Sequence, residues 1–315
     1  MKLFHDPGFA APLGEHIMPI SKFALVADAI RAEIPEIEIA SPPPVTESDL
    51  LRAHCREYVD AVRTGEPRAL AESQKFPWSP ELYPSVLLTN GGVLAACGHA
   101  LKAGSSGALA SGFHHACRDH GEGFCTFNGL VVALERLRVE GRIQTAAILD
   151  LDLHYGNGTA QLAVERPWLR ALSIYGNDYR QNKAFRDVRT RHHEDGANHY
   201  SVPLVPTGRS DREMLMAALD KHLDWLIADG LPDILLYQAG ADPLRDDPYS
   251  PLDLAHDDLH ARDLRVFEFA KSHALPIAWV LAGGYTPDVS QVVKVHVNTA
   301  KAWRESGIAG GSTTS

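Results

Sequence analysis

Three shortages narrow what this chain can be. Cysteine is scarce: Cys55, Cys97, Cys117 and Cys125 are the only four in 315 residues, and none forms a CxxC pair. Neither a disulfide framework nor a thiolate zinc cluster is expected, and free thiols point to a reducing cytoplasm. Positive charge is also short, with 30 Lys and Arg against 40 Asp and Glu and a net charge of −10. A nucleic-acid surface would need a basic patch or stripe, so no nucleic-acid partner is expected. Long apolar runs are missing as well: none approaches the roughly 18 residues that span a bilayer. The opening MKLFHDPGFAAPLGEH, a single lysine followed by a broken apolar stretch, reads poorly as a signal peptide. The expectation is a cytoplasmic protein with no membrane partner.

What is present belongs to a globular domain, with 45% hydrophobic and 22% charged residues. Apolar strand-like runs alternate with helical patterns. Strands are expected at Gly107–Ala110, from Ala146, at Leu169–Ile174, Asp233–Gln238 and Pro276–Leu281. Thr46-Glu47-Ser48-Asp49 reads as a capping box opening a helix to about Val62. Further helices are expected over Ser85–Lys102 (across Gly91-Gly92), Gly129–Val139, Ser210–Asp229, Leu259–Ala270 and Val289–Trp303. The opening before Pro42 and the polar stretch Gly176–His199 read as loop. This alternation predicts an α/β fold, a central parallel sheet with helices on both faces. No repeat, linker or composition break divides the chain, so one domain over 1–305 is expected, with a flexible tail over 306–315.

The chain is organised around Thr145–Thr159, TAAILDLDLHYGNGT. Asp150, Asp152 and His154 are spaced two apart, which on a strand turns all three to one face. Buried carboxylates with nothing to neutralise them are costly, and a cation is the simple remedy. Three other strand ends carry unusual residues: Gly112-Phe113-His114-His115 with Gly121-to-Asn128, Gln238-Ala-Gly-Ala-Asp242-Pro243, and Ala282-Gly-Gly-Tyr285. Singly, each has an ordinary reading as a turn or as surface polarity. Jointly they sit where parallel sheets place their chemistry, beyond the carboxyl ends of strands, and they make one metal-hydrolase set. Asp152, His154 and Asp242 are three O/N ligands that leave positions open, which suits a catalytic zinc ion. His114 and His115 are suited to general base and acid, and Tyr285 to hydrogen-bonding a developing oxyanion. Asp150 and Asn157 are suited to orient the two histidines, a carboxylate and an amide setting their basicities apart.

Taken together, FHHA, GFCTFN, LDLDLHYGNGT, AGADPL and GGY, in that order from about residue 85 to 290, resemble the histone deacetylase superfamily. The resemblance implies a single-domain arginase/deacetylase-like fold and a zinc amidohydrolase acting on acyl-lysine. It implies one zinc on Asp152, His154 and Asp242, with His114 and His115 as the histidine dyad and Tyr285 as the tyrosine. It also implies a monovalent cation, K⁺ or Na⁺, held by Asp150, Ser173 and main-chain oxygens of Asp152 and His154. Gly123 and Phe124 match the wall of the acyl-lysine tunnel, and Tyr249 falls at the family's gatekeeping position. The segments GFHHACRDHGEGFC and SIYGNDYRQ are most similar to the small fourth class and its bacterial relatives, a class that includes enzymes favouring long acyl chains. Asn157 stands where class I members carry Asp, and Tyr155 where many carry a second His. The partners implied are acylated lysine peptides or proteins, or small acylated amines. In the latter case, as in an acetylpolyamine deacetylase, Asp246 and Asp247 at the rim would meet a distal ammonium. A non-catalytic acyl-lysine binder is less favoured because every catalytic position is filled. An arginase-like dinuclear manganese site would need more carboxylates than these motifs show.

Overall fold

The computed structural model describes residues 1–12, 20–178, 183–184, 197–205 and 207–308. Its strands are β1 (Lys2–Phe4), β2 (Glu38–Ala40), β3 (Ser105–Ser111), β4 (Ala146–Asp150), β5 (Leu169–Tyr175), the short β6 (Asn177–Asp178) and β7 (Lys183–Ala184), β8 (His199–Pro203), β9 (Leu235–Ala239) and β10 (Ile277–Leu281). Its α-helices are α1 (Lys22–Glu33), α2 (Glu47–Leu50), α3 (Arg56–Thr64), α4 (Arg68–Ala71), α5 (Leu82–Ala103), α6 (Gly129–Val139), α7 (Asn157–Val164), α8 (Asp211–His222), α9 (His256–Ser272) and α10 (Val289–Glu305). Eight strands form one sheet in the order β2-β1-β3-β10-β9-β4-β5-β8. Every pairing in it is parallel.

The sheet has helices on both faces, as the alternating pattern requires. Along β4, Ala147 and Leu149 enter the core closed by α1, α8, α9 and α10. Ala146 and Ile148, pointing the other way, enter the core closed by α2, α3, α5, α6 and α7. Both faces being covered, the central strands are buried almost throughout rather than alternating. Among the described residues no helix is long and apolar enough to cross a membrane.

The five expected strands are the contiguous centre of the sheet, β3-β10-β9-β4-β5. The flanking strands β1, β2 and β8 were not expected. β2 is only partly covered and carries Glu38, and β8 reads HYSVP, so neither supplies an apolar run. α1 likewise lies in the opening expected to be loop. The helix expected from Thr46 to Val62 is broken in two. Asp49 accepts from the Thr46 N–H at 2.9 Å as the capping box requires, but the chain turns out of helix before α3. There His54 is drawn inward, its Nδ1 2.8 Å from Cys117 O and its Nε2 accepting from Asn128 N at 2.9 Å. Burial pushes His54 down to about 4, so it is a neutral peg holding the histidine loop to the start of α6. The tail expected from 306 is packed at its start, Ser306 and Ile308 being buried; residues 309–315 lie outside the described residues.

The glycine pair inside α5 has a packing reason. A Cβ on Gly91 would lie 2.0 Å from the backbone oxygen of Pro43, and one on Gly92 2.7 Å from the Phe9 ring. Alanine normally gains about 1 kcal/mol over glycine within a helix. Here Gly91→Ala should instead lose about 1–3 kcal/mol through overpacking against backbone. Denaturant unfolding measures this, and a variant as stable as the parent would contradict the contact.

Candidate metal centre and catalytic pocket

The site is built where four central strands stop. β4 ends at Asp150, so Asp152 and His154 do not lie on the strand as their spacing suggested; the loop after it brings them to the same place by its own bonds. Leu151 N–H donates to Gln238 O at 3.1 Å, and Asp152 N–H to the Asp150 carboxylate at 3.1 Å. Leu153 N–H reaches Asp242 Oδ1 at 2.9 Å, crossing to the loop after β9. Gly283 N–H, from the loop after β10, donates to Asp152 Oδ2 at 2.8 Å. Gly283 is required here, since a Cβ would sit 2.0 Å from Asp242 Oδ2.

Two buried cations support these loops from outside the expected set. Arg262 of α9 donates to Leu151 O at 3.1 Å and Gly240 O at 2.8 Å, tying the β4 and β9 loops together. Its charge is met by Asp263 at 2.8 Å, which also accepts from Tyr237 and Thr299. Lys22 of α1 donates to Ala282 O at 2.6 Å, one residue before Gly283. Burial pulls Lys22 down to about 8 against the attraction of Asp242 and Asp152.

Asp152, His154 and Asp242 then offer donor atoms all within 4.8 Å of one another. His154 Nδ1 is 3.2 Å from Asp152 Oδ1 and 3.0 Å from Asp242 Oδ2. Burial alone would depress His154, yet the two carboxylates lift it to about 10. Asp242, buried and beside Asp152, is pushed up to about 7. A site that makes an imidazole hold its proton so firmly is a site that wants positive charge, and a divalent ion supplies it better than a proton. Two carboxylate oxygens and an imidazole nitrogen, with no thiolate and with open space on the pocket side, fit a zinc ion of the catalytic kind.

The histidine pair stands beside this centre, its rings 4.0 Å apart. His114 Nδ1 lies 2.6 Å from Asp150 Oδ2, and His115 Nδ1 lies 2.6 Å from Asn157 Oδ1. The Asn157 amide nitrogen donates to Glu122 Oε2 at 2.7 Å. That leaves Asn157 Oδ1 as an acceptor, so His115 in its neutral form carries its proton on Nδ1, with Nε2 unprotonated. The environments part the two groups. Burial would lower His114 but Asp150 and Asp152 raise it; burial, His114 and His154 together hold His115 well below the ordinary range.

A pocket of about 680 Å³ opens over this arrangement. His115, His154, Gly123, Phe124, Tyr249 and Tyr285 are among its lining residues. The Tyr285 ring is 5.2 Å from Tyr249, 6.2 Å from Phe124 and 6.2 Å from His154. Asp247, expected at the rim beside the exposed Asp246, turns inward and is buried. Its carboxylate accepts from Tyr285 N–H at 2.7 Å and Tyr249 N–H at 3.0 Å. Glu122, Arg262 and Lys22 thus complete the site without having been singled out, and Asp247 does so in a different role from the one expected of it. Glu122 lay in plain view within GEGFC, whereas nothing in the pattern of α9 distinguishes Arg262 from a surface arginine. Ser173 pairs with Asp150 across β5 and β4, and its buried hydroxyl finds no hydrogen-bond partner among the described residues. Tyr155 is buried against Tyr175 and His199, away from the pocket. Most of Gly176–His199, expected to be loop, lies outside the described residues.

The sequence model of the Histone deacetylase domain matches residues 16–300. The chain belongs to the histone deacetylase family. Histone deacetylase 2 of Arabidopsis thaliana is 28% identical over 287 residues, 87% of this chain and 69% of that protein. Acetylpolyamine amidohydrolase 1 of Pseudomonas aeruginosa is 31% identical over 187 residues, 58% of this chain and 51% of that protein. The crystal structure of the HDA15 HD domain superposes with a TM-score of 0.78 at 19% identity, covering 99% of this chain and 92% of that one. The shared fold is the single-domain arginase/deacetylase-like α/β architecture, and the chain is a hydrolase of this family.

Because Asp247 fixes the backbone of Tyr285 without reaching the metal donors, Asp247→Ala should lower kcat by up to about 10²-fold, the scale of a small displacement of a reacting group. Metal content should stay at the parent level. Parallel metal analysis and saturation kinetics test this; an unaltered kcat would show that Asp247 does not position the tyrosine.

Proposed function

We propose that the chain is a zinc-dependent amidohydrolase that removes acetyl or longer acyl groups from the side-chain amine of lysine in peptides or proteins. The observation that carries this reading is a three-donor O/N/O set, two differently partnered histidines and a tyrosine all meeting at one pocket. A single zinc ion on Asp152, His154 and Asp242 would supply Lewis acidity to a carbonyl and acidify a water. The rest is the work of the chain's own side chains. Gly123, Phe124 and Tyr249 hold the acyl-lysine arm in the pocket. His115, neutral and with a bare Nε2, accepts the proton of the attacking water. His114, which Asp150 and Asp152 raise against the pull of its burial, steadies the negative charge that develops and gives a proton to the departing amine. Tyr285 donates its hydroxyl to the oxyanion; burial holds that hydroxyl protonated. A monovalent cation held by Asp150, Ser173 and the main-chain oxygens of Asp152 and His154 is supported by the unpartnered Ser173 hydroxyl and moderates the charge of Asp150.

A small acylated amine is the second reading, favoured by the similarity to an acetylpolyamine amidohydrolase. The inward turn of Asp247 weakens it, since that carboxylate is already engaged and does not face a distal ammonium. Rates on acyl-lysine peptides of increasing acyl length, set against acetylspermidine, separate the two. Higher kcat/KM on the peptides is expected, and a clear preference for acetylspermidine would replace the first reading with the second.

Tyr285→Phe keeps the ring's packing and should cost stability only about 1 kcal/mol, one hydrogen bond. It should lose about 10²–10³ in kcat, the usual effect of removing an oxyanion donor, with KM moving less. Turnover at the parent rate would leave Tyr285 as a wall residue and remove it from the mechanism.

A further inference from the structure

The loop that leaves the histidine pair carries a second donor cluster, separate from Asp152, His154 and Asp242. Cys117, His120 and Glu122 bring a thiol, an imidazole and a carboxylate within 4.8 Å of one another, and all three line the catalytic pocket. The loop is held in this shape from several sides. Cys117 N–H donates to His120 O at 2.9 Å, closing the turn, and Cys55 N–H donates to Arg118 O at 2.8 Å. Arg118 N–H donates to Gln161 at 2.9 Å, and Gly121 N–H to Ser73 Oγ at 2.9 Å.

The side chains are arranged as metal ligands are. His120 Nδ1 is 2.7 Å from the Asp119 carboxylate, leaving Nε2 to face Glu122 Oε1 at 3.1 Å. A carboxylate behind the histidine, orienting it and strengthening it as a donor, is the outer support that metal-bound histidines almost always have. Cys117 is buried, its sulfur 3.8 Å from the Asn157 amide nitrogen and 3.6 Å from His115 O. A thiolate, an imidazole nitrogen and a carboxylate oxygen suit a borderline-soft divalent ion such as Zn²⁺ or Co²⁺, with a fourth position open to the pocket.

We propose that Cys117, His120 and Glu122 form a second, weaker divalent-metal site on the pocket wall, and that filling it inhibits turnover. Inhibition follows from what Glu122 touches. Its other oxygen accepts from Asn157, and Asn157 holds His115. A dication on Glu122 competes with Asn157 for that carboxylate and so loosens the contact that positions His115. It also crowds the wall along which the substrate must enter. The site itself goes beyond the acyl-lysine reading and does not depend on it; only the inhibitory half needs a working hydrolase.

Cobalt tests the two halves separately. Zinc-loaded protein titrated with Co²⁺ should develop near-ultraviolet thiolate-to-cobalt charge-transfer absorption, saturating at one added equivalent. Cobalt exchanged into the Asp152, His154 and Asp242 set gives no such band, because that set has no sulfur. Cys117→Ser should abolish the band, and Asp242→Ala should keep it while losing the catalytic ion. His120→Gln, which leaves the thiol in place, should shift the band's half-saturation upward by about tenfold or more. In the parent protein, loss of kcat should follow the band at the same half-saturation. No band, or a band that survives Cys117→Ser, overturns the site; a band that saturates with kcat unchanged overturns its inhibitory role. If no substrate is turned over at all, the hydrolase reading fails and the band still decides the site.

Discussion

Everything in this pocket answers to one electrostatic constraint: two carboxylates, Asp152 and Asp242, are buried side by side at the ends of neighbouring strands, close enough that both cannot stay charged without a cation between them. The same demand lifts His154, against the pull of its burial, to about 10. Lys22 and Arg262 place further positive charge behind the loops, where it is bonded to carbonyl oxygens and unavailable to the pocket. Backbone N–H groups satisfy the carboxylate oxygens on the protein side. The result is a buried three-donor cluster with His154 at the pocket wall, a candidate site for a metal ion.

The parallel sheet is what brings these groups together. Adjacent strands β3, β10, β9 and β4 all finish on the same edge, so residues about 170 apart in sequence, from His114 to Tyr285, become neighbours without any long excursion of the chain. The strands supply direction and the loops supply position. Arg262 makes the loops rigid by bonding two of them at once, and Gly283 lets a third come within contact of Asp242.

How much of this could be read from the sequence follows from where each residue's constraint lies. The five central strands were legible because burial on both faces demands an apolar run; β2 and β8, at the edges, escape that demand, and β1, though its Leu3 and Phe4 are buried, is only three residues long, too short to show a pattern. The donor residues were legible because few other roles put Asp, His and Asp directly after apolar strands. Asp152 and His154 nevertheless lie off the strand that their two-residue spacing suggests, since that spacing continues past the end of β4 into a loop that its own hydrogen bonds hold in place. Residues that act at one remove were the harder ones. Asp247 shows nothing in the sequence beyond an acidic rim, because its function lies in which backbone N–H groups its carboxylate faces, and Arg262 resembles any arginine on an amphipathic helix until its carbonyl partners are known.

Asp247 binds the backbone of Tyr249 with one oxygen and that of Tyr285 with the other. On the roles proposed for the two tyrosines, selectivity at the mouth and speed at the reacting carbonyl are therefore adjusted by the same screw. On that proposal, a bulky substrate that pushed Tyr249 aside would also drag Tyr285, so poor fit would be punished in rate as well as in affinity. Evolution or engineering toward a wider entrance would have to uncouple the two tyrosines first, and the place to begin is that one carboxylate rather than the wall it supports.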